Sequence, residues 1–152
     1  MSLDYSFALD TEDHPEDLLR WLESTFQMKR YANQRGTCAD VGLQCTVLLQ
    51  NTTSRDLIDR IYGIDTRIHI LCRIDKGEAQ SVGMDKLVEL CLGLLCRDSA
   101  DLLLLSNGEQ GHVLRTHQDI YADCSDEYWE QKWNAAFGKA RIEFRHDSLP
   151  CL

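Results

Sequence analysis

The sequence predicts an α+β protein, with a single antiparallel or mixed sheet of about five or six strands and helices packed mainly on one face. Three segments alternate apolar and polar residues with the period of a half-buried strand. Other segments carry apolar residues at helical spacing. Because the alternating strands are apolar on one side only, helices are expected to cover that side of the sheet.

The three alternating strands are expected at residues 3–9, 43–50 and 66–74, and the third has the clearest pattern. In each strand, every second residue is apolar and faces the expected core. The residues between them project to the other face, which we expect to remain partly open to solvent. Five of these outward residues form the candidate protein-binding surface: Leu48, Arg67, His69, Leu71 and Arg73.

A hairpin is predicted later in the chain. Residues 102–105 are a continuous apolar run, which fits an inner strand. The pair Asn107-Gly108 is favoured in tight hairpin turns and returns the chain through residues 112–116. Residues 120–122 are expected to extend this meander.

Four helices are predicted, at about residues 13–31, 55–62, 82–96 and 125–138. The third is apolar on nearly every side, which is typical of a central, buried helix. The segment between the first helix and the second strand reads as a polar loop. Expected N-caps are Asp13, Ser54 and Ser125, and the expected stops are Gly63 and Gly138.

Length and pattern predict one domain at residues 3–145, including an edge strand near 140–145, followed by a loose C-terminal tail at 146–152. Residues 1–3 are given no weight, because they could derive from an expression vector. No segment reaches the roughly 20 apolar residues that a membrane helix needs. A membrane partner is therefore not expected.

Charge and cysteine usage narrow the class of partner. The net charge of −9 argues against nucleic acid, because phosphate binding needs a basic field. An acidic surface favours a basic protein partner instead. The seven cysteines include no Cys-x-x-Cys pair, and the first residues lack the features of a signal peptide. Reduced thiols in the cytoplasm are therefore expected.

Catalytic motifs are missing from the sequence. The five histidines form no His-x-x-x-His pair, and neither a Gly-x-Ser-x-Gly elbow nor a glycine-rich phosphate loop is present. We therefore predict no metal, no cofactor and no enzymatic activity. The alternative is a small intracellular enzyme, in which Cys38 or Cys124 would meet a histidine, or a carboxylate would have a strongly raised pKa.

Three stretches carry a family resemblance: Leu3-Asp4-Tyr5-Ser6-Phe7-Ala8-Leu9, Arg67-Ile68-His69-Ile70-Leu71-Cys72-Arg73-Ile74-Asp75-Lys76 and Asp101-Leu102-Leu103-Leu104-Leu105-Ser106-Asn107-Gly108-Glu109. With Arg115 on the return strand, this order resembles the SitI type of bacterial immunity protein over residues 3–122. Residues 55–64 and the tryptophan-rich last helix depart from the pattern. The resemblance implies a small cytoplasmic protein that neutralises a cognate toxin by binding it, without catalysis or cofactor.

Two further interpretations stay beside toxin binding. The outward residues of the three strands could be the solvated side of an antiparallel sheet. A second copy of the chain could also bury the open face and form a homodimer.

Overall fold

The computed structural model describes residues 2–152, which form four helices and one sheet of nine strands. The strands are β1 (Ser2–Leu9), β2 (Lys29–Arg30), β3 (Thr37–Asp40), β4 (Leu43–Leu49), β5 (Ile68–Asp75), β6 (Leu102–Ser106), β7 (Gln110–Thr116), β8 (Asp119–Ala122) and β9 (Arg145–His146). The helices are α1 (Pro15–Phe26), α2 (Thr52–Tyr62), α3 (Gln80–Arg97) and α4 (Glu127–Ala140).

The strands are ordered β2-β3-β4-β5-β1-β6-β7-β8-β9 in one mixed sheet. All neighbours are antiparallel except β8 and β9, which are parallel. The α+β class is confirmed, but the prediction of five or six strands is too low. The missed strands β2 and β3 lie where the sequence predicts helix end and polar loop, because only a few apolar residues mark them.

The front face of the sheet is the side on which α1, α3 and α4 pack. Phe7 of β1 pairs with Ile70 of β5 on one side and with Leu104 of β6 on the other. All three side chains are fully buried, which confirms the predicted strand faces of Ile70 and Leu104. The stacked rings of Trp133 and Phe137 bring α4 onto the same core.

The rear face divides into two halves. Helix α2 and the C-terminal segment around Leu149 pack against the rear side of β1, β6 and β7. We call this part of the rear face the covered half. Tyr62 of α2 donates a hydrogen bond to the Pro150 carbonyl, and Leu149 is buried in the same cluster. The Leu152 amide donates to the Glu109 carbonyl in the β6–β7 turn, and Cys151 forms a β-bridge with Gln110 of β7, so the last residues contact the edge of the sheet. The apolar residues that line this half on the strands are Ala8, Leu103, Leu105 and Leu114.

Helix ends differ from the predicted ones by a few residues. His14, rather than Asp13, caps α1: its Nδ1 accepts from the Glu16 amide because Pro15 occupies the first turn. Helix α1 ends before the left-handed Gln27, so it is shorter than predicted. At α4 the cap is Asp126. Helix α2 is capped by Asn51 instead of Ser54, and it ends at Gly63 as predicted. Helix α4 continues past the predicted stop at Gly138 to Ala140.

Helix α3 begins in close contact with the β3–β4 turn. A Cβ at Gly83 would lie 2.3 Å from the carbonyl oxygen of Gly42, so a side chain there would displace the helix. Among residues 2–152, none of the four helices combines the length and apolarity needed to cross a bilayer.

Candidate functional site

The open half of the rear face is the rear side of β4 and β5, which α2 does not cover. Antiparallel pairing sets its rows: Leu48 lies opposite His69, and Thr46 lies opposite Leu71. Gln44 of β4 and Arg73 of β5 form the next row. The structure therefore brings Leu48, His69, Leu71 and Arg73 together on one surface.

The apolar part of the open half is small. Leu48 is 46% exposed, and Leu71 is half-buried. The two leucines are diagonal neighbours across β4 and β5, within reach of each other's side chains. Their flank is polar, since the hydroxyl of Thr46 lies 2.9 Å from that of Thr37 on β3.

His69 stands in the middle of the open half between Leu48 and Ala8. Burial lowers the pKa of this imidazole below its ordinary value. The ring is therefore neutral near pH 7, with one nitrogen donating and the other accepting hydrogen bonds. Such a ring can serve either kind of polar group on a partner.

The two arginines occupy opposite ends of β5. Arg73 lies on the strand, with its Nε 3.3 Å from Oδ1 of Asp4. Arg67 falls just before the first strand residue, Ile68, so the predicted strand at 66–74 begins too early. Its guanidinium lies 3.8 Å from Asp10 and 3.7 Å from Glu12. These long, half-exposed pairs hold the arginines weakly and leave them able to bind other carboxylates.

The model of the SitI3-like family matches residues 3–133, which is most of the chain. The chain belongs to the SitI3-like family. No curated protein and no solved structure matches it. The matched range includes residues 55–64 and the first half of α4 with Trp129 and Trp133, and it ends before Phe137.

The cysteine–histidine site of the enzyme alternative is not assembled in this SitI3-like chain. Cys38 lies in β3 rather than in a loop, and burial raises the pKa of its thiol to about 12. Its Sγ contacts the sulfur of Met28 instead of an imidazole. Cys124 is half-buried, and burial raises its pKa too. Among residues 2–152, no thiol forms a hydrogen bond with a histidine.

Carboxylates give no better catalytic candidate. Within residues 2–152, Asp10 is the one carboxylate whose pKa is shifted upward, chiefly because burial disfavours its charge, and Arg67 opposes the shift. It lies at the end of β1 among Asp65, Asp101 and Arg55 rather than in a cleft with a reactive partner. The described residues also contain no cluster of three or more side chains placed to hold a metal ion.

One polar pair was missed by the sequence analysis. His112 Nε2 lies 2.8 Å from the hydroxyl of Ser106, at the edge of a cleft of about 390 Å³. The imidazole packs against the rings of Trp129, at 4.9 Å, and Tyr5, at 5.9 Å. Burial lowers its pKa, although nearby Asp123 opposes the shift. In the described chain no carboxylate hydrogen-bonds this ring, so its orientation comes from aromatic packing and no catalytic triad forms.

A bulge explains why the pair was not predicted. The Asn107-Gly108 turn predicts a regular hairpin, whereas the register shifts between Leu104 and Leu105. The shift brings His112 within reach of Ser106. The only sequence signal was that both residues flank the same turn.

Proposed function

We propose that this SitI3-like chain is an immunity protein that neutralises a cognate protein toxin by direct, non-catalytic binding through the open half of the rear face. Membership of the family supports the immunity role. The observation that carries the choice of surface is the change along the rear face: it is apolar and covered over β1, β6 and β7, then mixed and uncovered over β4 and β5.

The open half has the chemistry of a protein interface. Leu48 and Leu71 supply a small apolar centre, and polar side chains surround it. Protein interfaces commonly have an apolar core within a polar rim. Arginine is prominent among residues that dominate binding energy, because its guanidinium makes two-pronged hydrogen bonds to carboxylates. Arg67 and Arg73 therefore suit carboxylates on the toxin.

The charge of the whole chain acts at longer range. With a net charge of −9, the protein attracts a toxin of net positive charge and speeds its encounter. The two effects are compatible, since a basic toxin still carries carboxylates that Arg67 and Arg73 can bind. The cytoplasm remains the compartment we propose for this encounter, because the cysteines are unpaired.

The test is the double variant Leu71→Asp/Arg73→Asp. Both side chains project away from the core, so the variant should stay folded and lose no more than about 1 kcal/mol of stability. Cells that express the cognate toxin should lose protection, and purified toxin should bind more weakly. The matched control replaces Val41 and Arg20, an exposed apolar residue and an exposed arginine away from the rear face, with aspartate. Full protection by the folded open-half variant would move the interface elsewhere.

A further inference from the structure

A long groove runs between α3 and α4 on the side of these helices that faces away from the sheet. Its volume is about 760 Å³. Leu92 is half-buried at its floor, and Tyr128, which is 46% exposed, stands on its wall. The lining is mainly apolar, from Val88, Leu92, Tyr128, Ala135, Ala136 and Ala140.

The sequence of α3 indicates that this groove lacks a cover. The helix is apolar on nearly every side, a pattern typical of a helix surrounded by protein. Leu87 and Leu94 pack on the front face of the sheet, whereas Val88, which is only 7% exposed, and the half-buried Leu92 contact the core and also line the groove. Helix α3 is therefore buried on the sheet side and lacks a neighbour along part of the opposite side.

The acidic residues along the groove lie on α3, and the basic residues lie on α4. Asp85 and Glu89 come from α3, whereas Lys132 and Lys139 come from α4. Lys132 Nζ lies 2.8 Å from Asp85, which places these two residues at the same level. Within residues 2–152, Glu89 and Lys139 have no ion-pair partner. The four charges sum to zero, so the groove does not share the acidity of the whole chain.

We propose that this groove is the interface between two copies of the chain, related by a two-fold axis that runs along the groove. Such an axis lays α3 of one copy over α4 of the other, which sets acidic residues over basic ones. Asp85 then faces Lys132 of the second copy, and Glu89 gains Lys139. An axis across the groove would set acid over acid instead. The interface thus covers the exposed part of the groove, including Leu92 and Tyr128, with the helices of the second copy.

This arrangement is compatible with the proposed function without depending on it. The groove lies on the outer side of the front layer, whereas the open half lies on the rear of the sheet. A dimer would therefore display two open halves. Repulsion between two chains of charge −9 is reduced at physiological ionic strength, where the screening length is about 8 Å.

The test is the oligomeric state of the purified full chain, measured by sedimentation over a range of protein concentrations. Wild type should form a dimer. Glu89→Lys places two lysines opposite each other and Lys139→Glu places two glutamates opposite each other, so each should raise the dimer dissociation constant roughly tenfold or more. The double variant Glu89→Lys/Lys139→Glu should restore the dimer. Asp59→Lys, the same charge change on exposed α2, should leave it unchanged.

Three results would overturn this interface. The first is a wild-type chain that stays monomeric at every concentration. The second is a dimer that both single charge reversals leave intact, or that Leu71→Asp dissociates, which would place self-association on the open half. The third is a monomer whose binding of the toxin is lost in Ala136→Arg, which would make the groove a site for a partner helix.

Discussion

The two halves of the rear face meet at β1, and the contrast between them can be followed residue by residue. Ser6 pairs with Leu71 of β5 on one side and with Leu105 of β6 on the other. Leu71 is half-buried, whereas Leu105 is 4% exposed. Both leucines share one face of one sheet. The difference lies in the cover, because α2 and the C-terminal segment lie over Leu105 and end before Leu71.

The two halves of the rear face carry different signals in the sequence. Strand β5 alternates apolar and polar residues, as expected for a strand covered on one face only. Strand β6 has four leucines in succession, and all four are buried, because helices cover both of its faces. The run at residues 102–105 thus indicates the covered half before any helix is placed.

The largest effect should come from an aspartate placed on either side of Ser6. Leu105→Asp puts a charge into the covered half without a partner and should cost roughly 4 kcal/mol or more. Leu71→Asp makes the same change in the open half, where water solvates the carboxylate, and should cost less than about 1 kcal/mol. Urea unfolding of both variants measures the difference. Equal losses would mean that the two halves are equally covered.

Truncation of buried side chains on the front face should cause the next largest loss in the free energy of unfolding. Leu104→Ala and Ile70→Ala each leave a cavity beside Phe7, so each should cost about 2–5 kcal/mol. Leu48→Ala, in the open half, removes the same kind of side chain and should cost less than about 1 kcal/mol, because that side chain is already half in water. A loss below about 1 kcal/mol for both core variants would contradict the assigned front face.

Protonation of histidines should have a smaller effect on the free energy of unfolding. His112 lies on the front face of the sheet and His69 lies in the open half, so the two can be compared. Burial is the main cause that lowers the pKa of both His112 and His69 in the folded protein. The unfolded chain therefore takes up protons first, starting near pH 6.5. The stability held by neutral imidazoles is complete above that pH and is lost as pH falls through the folded pKa values.

We expect the free energy of unfolding to fall between about pH 7 and pH 5, by at most about 1.4 kcal/mol per pH unit for each histidine. Urea titrations at several pH values measure this slope. His69→Gln should reduce the slope and leave the contribution of His112. An unchanged slope in that variant would show that the open half is fully hydrated around His69.

Much of the fold could be predicted from the sequence because its strongest patterns are local. Alternation identified β1, β4 and β5, and the Asn107-Gly108 pair identified the β6–β7 hairpin. Strand β3 was missed because it is short and few apolar residues mark it, so its burial shows only in its tertiary contacts. Cys38 is fully buried where β3 pairs with β4 and its thiol meets Met28, and no local periodicity encodes that contact.

The candidate site was predictable only as a set of residues that share a face. The period of two placed Arg67, His69, Leu71 and Arg73 on one side of the third predicted strand and Leu48 on the same side of the second. Their positions opposite one another come from the pairing of β4 with β5. The boundary of the open half depends on where α2 docks. Helix α2 makes its buried contacts with β6 and β7, which lie far along the chain, so no local pattern predicts them. The front-side groove could not be predicted, since it depends on the packing of α3 against α4.

The smallest expected effect on stability concerns Arg73 and Asp4, at the end of the open half. Their side chains are 52% and 42% exposed, and an exposed ion pair contributes less than about 1 kcal/mol. Asp4→Asn should therefore change the free energy of unfolding by less than about 0.5 kcal/mol. If the open half binds a toxin as proposed, Asp4→Asn should leave that binding unchanged or tighter, because Arg73 gains freedom to meet a carboxylate on the partner.

Arg73→Ala is the matched variant: it should be as stable as Asp4→Asn but should bind toxin more weakly and with less dependence on salt. This pattern, little effect on folding and a measurable effect on binding, is what distinguishes an interaction surface from a solvated sheet face. If Asp4→Asn instead costs more than about 1 kcal/mol, the pair stabilises the edge of the open half, and Arg73 is committed to the fold. Binding would then have to depend on the apolar centre at Leu48 and Leu71, whose replacement by aspartate tests it separately.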